Sequence, residues 1–129
     1  MSRTQDFFSR PDVSEITEEV LINKRLGIFT IKPMSEPQFQ GYRERCKLKK
    51  AKNETEIDHS KLNMLVITNH VIDPNFNDSE LLSQAGCATA SEFISRKFII
   101  GDVADIAAKI LEASGIDGDI NEDIEEAKN

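Results

Sequence analysis

The chain has 129 residues, one domain's worth and long enough to hide roughly two-thirds of its unfolded surface in a core. Hydrophobic residues at 39% and charged residues at 30% are ordinary for a soluble globular protein, and no apolar run approaches the roughly 18 residues of a bilayer span. Sixteen Lys and Arg against 23 Asp and Glu leave a net charge of −7, which argues against a surface that binds nucleic acid generically.

The start, MSRTQDFFSRPDVSE, is polar where a secretory signal needs an apolar core, so the expected location is the cytoplasm. Residues 1 to 16 contain the adjacent pair Phe7 and Phe8, which a disordered arm has no need of. Two readings stay open: packing on the domain's own core, or docking on a partner. From Val20 to Lys32, two β-prone runs flank Leu26-Gly27, where Gly27 is free to take positive φ, and this predicts a β-hairpin over residues 18 to 32.

Ser35-Glu36-Pro37-Gln38 combines an N-cap hydroxyl, a first-turn proline and a capping-box Gln, so a helix is expected from about residue 36 to 48. Phe39, Tyr42 and Cys46 share one of its faces, while Arg43, Arg45, Lys47, Lys49 and Lys50 stay in water near its C-terminal end, the sign the macrodipole favours. Residues 51 to 60 are polar throughout and read as a loop. The stretch LNMLVITNHVI, residues 62 to 72, fits a helical face but is rich in β-branched residues; helix is preferred and strand remains the alternative. Asp73-Pro74 stops it. Asp78 then caps a short helix ended by Gly86, and Thr89-Ala90-Ser91-Glu92 opens another with Phe93, Ile94 and Phe98 on one side.

The clearest helix is expected at 102 to 114, with Asp102 as N-cap, a stripe of Val103, Ile106, Ala107, Ile110 and Leu111, and a stop at Ser114-Gly115. Beyond it, residues 117 to 126 carry six acidic groups and no basic one, whereas residues 43 to 52 carry six basic groups and one acidic one. Beyond Gly115 the apolar residues Ile116, Ile120 and Ile124 are spaced four apart, a spacing that suits either a weak helix along a partner or a frayed tail. The fold class is therefore α+β, an N-terminal β-hairpin or small antiparallel sheet packed by four to five helices.

No catalytic constellation survives a spacing test. The six glycines are scattered, so there is no phosphate loop. Asp58-His59-Ser60 has triad residue types, but triads are assembled in space from separate elements. Cys46 and Cys87 lack zinc-site partners at the right spacing and read as reduced and structural, and the acidic tail lacks a calcium loop. No catalytic residue, cofactor or metal is expected.

The order of segments carries more than any single motif: EITEEVLINKR, then IFTIKPMSEPQFQGYRERC, a lysine-rich loop, NHVIDPNF with a short helix and AGC, a helix pair ending ILEASGID, and the acidic IEEAKN. This succession resembles the XkdN-like tail assembly chaperones of phages and defective prophages of Gram-positive bacteria, over about residues 15 to 129, with IKPMSE, DPNF and SGID as its local signatures. The resemblance implies a non-catalytic host-cytoplasmic protein that binds the phage tape measure protein and keeps it soluble until the tail tube polymerises, then leaves. It also implies self-association, and a short and a longer form made by frameshifting. The closing Ala127-Lys128-Asn129 fits an adenine-rich slippery run, so this chain is expected to be the short form.

Residues 1–115 are then a single chaperone domain and 116–129 an acidic tail. The candidate partner-binding residues are Phe7, Phe8, Arg43, Arg45, Lys49, Lys50, Ile116, Ile120 and Ile124. The expected partners are the tape measure protein and further copies of this chain, with the tail tube protein a second candidate and neither nucleic acid nor membrane among them. The competing reading is a structural tail or connector subunit retained in the particle.

Overall fold

The structure is a computed structural model that describes residues 3–49 and 55–116. A short helix, α1 (Arg3–Phe8), and a 3-10 turn (Val13–Glu15) lead into the hairpin β1 (Glu18–Asn23) and β2 (Gly27–Ile31). The strands pair antiparallel, with Val20 opposite Phe29 and Leu21 opposite Ile28. Gly27 takes φ +78° at the turn, a conformation that costs glycine little. Asn23 holds the turn from the side, its Oδ1 accepting from the backbone N–H groups of Arg25 (3.0 Å) and Leu26 (2.9 Å).

Alternation sends Ile22, Phe29 and Ile31 into the core and Leu21 and Ile28 to the opposite face. Helix α2 (Glu36–Arg45) starts on the expected capping box: Ser35 Oγ accepts from the Gln38 N–H, and Gln38 Oε1 accepts from the Ser35 N–H at 2.9 Å. It stops earlier than the expected residue 48. Lys47–Lys49 form a strand, β3, which pairs with β4 (Thr55–Ile57) inside the segment read as a loop. The competing order there is a cross-strand ladder, closed at its base where the Asp58 N–H donates to the Cys46 carbonyl at 2.8 Å.

Helix α3 (His59–His70) settles most of the ambiguous stretch as helix, with Leu62, Val66 and Ile67 fully buried. Its last β-branched residues leave the helix. Val71–Asp73 form β5, which pairs with the outer side of β2 and places Val71 opposite Ile31, giving the antiparallel order β1-β2-β5. Helices α4 (Ser79–Ala85) and α5 (Ala90–Lys97) follow, capped by Asp78 and Thr89, with Gly86 left-handed at φ +69° after α4.

Helix α6 (Ile100–Ala113) packs on α3 and lies along β1, burying Ile106, Ala107, Ile110 and Leu111. Its N-cap is Ile99, not Asp102. The Asp102 carboxylate sits one turn further in and is used tertiarily: Oδ1 accepts from Asn23 Nδ2 at 3.2 Å, and Arg25 lies 3.4 Å from Oδ2. Ser114 closes the other end, its Oγ donating to the Ile110 carbonyl and accepting from the Met34 N–H.

Candidate functional site

Asp58 and His70 are both engaged by the fold. Asp58 is the N-cap of α3, its Oδ1 accepting from the Lys61 N–H at 3.1 Å, so it serves the start of the helix that carries His59 and Ser60. His70 is 1% exposed and lies between two elements. Its Nδ1 is 2.8 Å from the Lys32 carbonyl, which only accepts, so Nδ1 carries the proton. Nε2 then accepts from the Tyr42 hydroxyl at 2.8 Å.

This chain ties β2, α2 and α3 together at a buried polar seam. Burial pushes the imidazole below its ordinary value, an effect the Lys32 charge adds to and the Lys32 carbonyl bond opposes. Burial likewise raises the Tyr42 hydroxyl and the Cys46 thiol. Both cysteines are free and buried. Among the described residues no three His, Cys, Asp or Glu side chains are grouped to hold a metal, and no helix is long and apolar enough to cross a membrane.

Apolar side chains stand on the surface. Phe7 and Phe8 are 56% and 89% exposed, and α1 buries none of its residues. Own-core packing, one of the two readings of that pair, is therefore not what the fold does. Arg10 stacks over Phe7 at 5.5 Å.

The basic cluster is divided rather than uniform. Arg43 is half-buried with its guanidinium 5.8 Å over the Phe39 ring, and Lys47 pairs with Glu44 at 2.7 Å. Arg45 and Lys49 are exposed on α2 and β3, beside Leu48 at 44% exposure. Ile116 turns back onto the core, its N–H bonded to the Leu111 carbonyl at 2.9 Å. Lys50, Ile120 and Ile124 lie outside the described residues. The candidate residues thus occupy separate elements, α1, the α2–β3 junction and the turn after α6.

Two features escaped the reading of the sequence. One is an open groove of about 370 Å³ between the free edge of β1 and α6, lined by Glu18, Val20, Leu21, Lys109, Glu112 and Ala113. The other is the outward cross-strand pair of Leu21 and Ile28, 58% and 67% exposed. Strict alternation along VLIN was the available signal, because Val20 and Ile22 facing inward force Leu21 outward.

Comparison with known proteins supplies the lineage. No curated protein matches the sequence. The crystal structure of the protein yqbn, a structural genomics target, superposes with a TM-score of 0.60 at 19% identity, over 79% of this chain and 87% of that one, and so shares the fold. The family model of the phage XkdN-like tail assembly chaperone protein matches residues 4–128. With nearly the whole chain inside that match, this protein belongs to the XkdN-like family of phage tail assembly chaperones.

Proposed function

We propose that this chain binds the tape measure protein of its phage in the host cytoplasm, keeps that protein soluble while the tail tube polymerises, and is left out of the finished particle. Family membership carries the reading. It is supported by the amount of apolar side chain held outside the core: Phe7, Phe8, Leu21, Ile28, Leu48, Ile99 and Ile100 are all more than 40% exposed. Surface of that kind suits transient capture of an amphipathic helical client, because each contact is small and reversible.

In this proposal residues 1–115 are the folded chaperone domain and 116–129 an acidic tail. The domain works as an assembly of copies, which multiplies weak contacts along a long client. Arg45 and Lys49 meet acidic client segments. The test is expression of the tape measure protein with and without this chain: the soluble fraction should rise several-fold on co-expression, and no rise refutes the client. Mass spectrometry of purified particles separates this from a retained structural subunit, which would be present in stoichiometric amounts.

A further inference from the structure

The N-terminal arm and the groove beside β1 are complementary in both shape and charge. Phe7 and Phe8 are successive positions on α1, so their side chains diverge by about 100° and a flat surface cannot cover both. A cleft with two walls can. The groove has such walls, β1 with Val20 and Leu21 on one side and α6 with Ala113 on the other, and its 370 Å³ holds more than one aromatic ring.

The net charges are opposite in sign, positive on the arm and negative on the groove. The arm carries Arg3, Asp6 and Arg10 around the two rings, while the groove carries Glu18, Lys109 and Glu112. Lys109 and Glu112 pair only loosely, at 3.9 Å. The arm does not occupy the groove of its own chain, since Phe8 remains 89% exposed. Between arm and groove lie residues 11–17, which hold Pro11 and the 3-10 turn at Val13–Glu15. An arm that its own fold leaves in solvent, beside a groove that its own fold leaves open, suits a contact between copies.

We propose that the arm of one copy, residues 3–10, seats Phe7 and Phe8 in the β1–α6 groove of a second copy, against its Val20, Leu21 and Ala113. This rests on the self-association part of the function proposed above and not on the client, so a failed solubility assay leaves it standing.

Sedimentation velocity of the full chain across a concentration series tests it, with circular dichroism as the check that each variant is folded. The unaltered chain should assemble. Phe7→Ser with Phe8→Ser, and separately Leu21→Asp, should each weaken assembly by about 30-fold or more, the loss typical of a buried aromatic or aliphatic anchor. Mixing the two variants should restore a heteromeric contact, because one retains an intact groove and the other an intact arm. A chain that stays monomeric at hundreds of micromolar, an assembly indifferent to the arm substitutions, or variants that fail to associate on mixing would each overturn the proposal.

Discussion

The seven phenylalanines divide by region, and the division does not follow secondary structure. Phe76 lies in the irregular turn between β5 and α4, yet it is 3% exposed and touches three other rings: Phe29 at 6.0 Å, Phe98 at 5.6 Å, both edge-on, and Phe93 at 6.1 Å. Phe7 and Phe8 lie inside a regular helix and stay in solvent. What buries a ring is the number of elements that converge on it. Strand β2, helix α5 and the α5–α6 junction converge on Phe76, whereas α1 stands at the end of a connection and, among the described residues, no element is folded over it. The two regions therefore hold the same chemistry in two states, one spent on the fold and one available to a partner.

The largest expected effect follows from that contrast. Phe76→Ala opens a cavity among three rings and should cost about 3–5 kcal/mol, read as a lower urea midpoint at unchanged slope. At concentrations where the chain is monomeric, Phe8→Ala removes the same atoms from water-facing positions and should change stability by no more than about 0.5 kcal/mol. Equal losses at the two sites would erase the distinction between core and arm.

A smaller effect tests whether polar groups divide the same way. The Asp102 carboxylate is 2% exposed, accepts from Asn23 and faces Arg25, while its Oδ2 has no hydrogen bond. It lies in the first turn of α6, where the macrodipole favours a negative charge. Asp102→Ala should cost about 1–3 kcal/mol by unpinning the hairpin turn from the helix, and Asp102→Asn less, since an amide oxygen still accepts from Asn23. Ser35→Ala should cost about 1 kcal/mol by removing one half of the α2 capping box. Thermal melts of the three proteins would rank them.

Those same residues show how far the fold could be read in advance. The hairpin, the Ser35 and Asp78 caps, the left-handed Gly86 and the buried stripe of α6 are local events, each set by neighbours within about four residues. What escaped was decided at long range. Lys47–Lys49 became a strand because Thr55–Ile57 pairs with it, and Val71 left its helix because Ile31 offered a partner in β2. Asp102 reads as a cap in the sequence because its partner Asn23 is 79 residues away. Of the interaction surface, Phe7 and Phe8 were visible as residues that a polar arm has no use for. The groove was not, since β1 and α6 come together only in the folded chain.

Acidity gives the gentlest test, because it acts on the core and spares the arm. Burial lowers the His70 pKa from the ordinary 6.5, against the opposing bond to the Lys32 carbonyl, and the neutral ring accepts from the Tyr42 hydroxyl. In the unfolded chain the imidazole protonates as pH falls through about 6.5, while in the folded chain it does not yet. Between the depressed folded value and 6.5 the unfolded state binds more protons, so stability rises with pH across that window. The contribution is fully present above about 6.5, is lost as pH falls toward the folded value, and is constant below it. Its slope cannot exceed about 1.4 kcal/mol per pH unit for a single proton. In His70→Asn the side-chain amide still donates to the Lys32 carbonyl but has nothing to titrate. That variant should be less stable at every pH and should lack the dip below 6.5, and since His59 is the other histidine and is common to both proteins, the difference between their melting curves isolates His70. Parallel curves for the two proteins would mean that the Tyr42–His70–Lys32 seam opens before the domain unfolds, and that this part of the core is as loosely held as the arm.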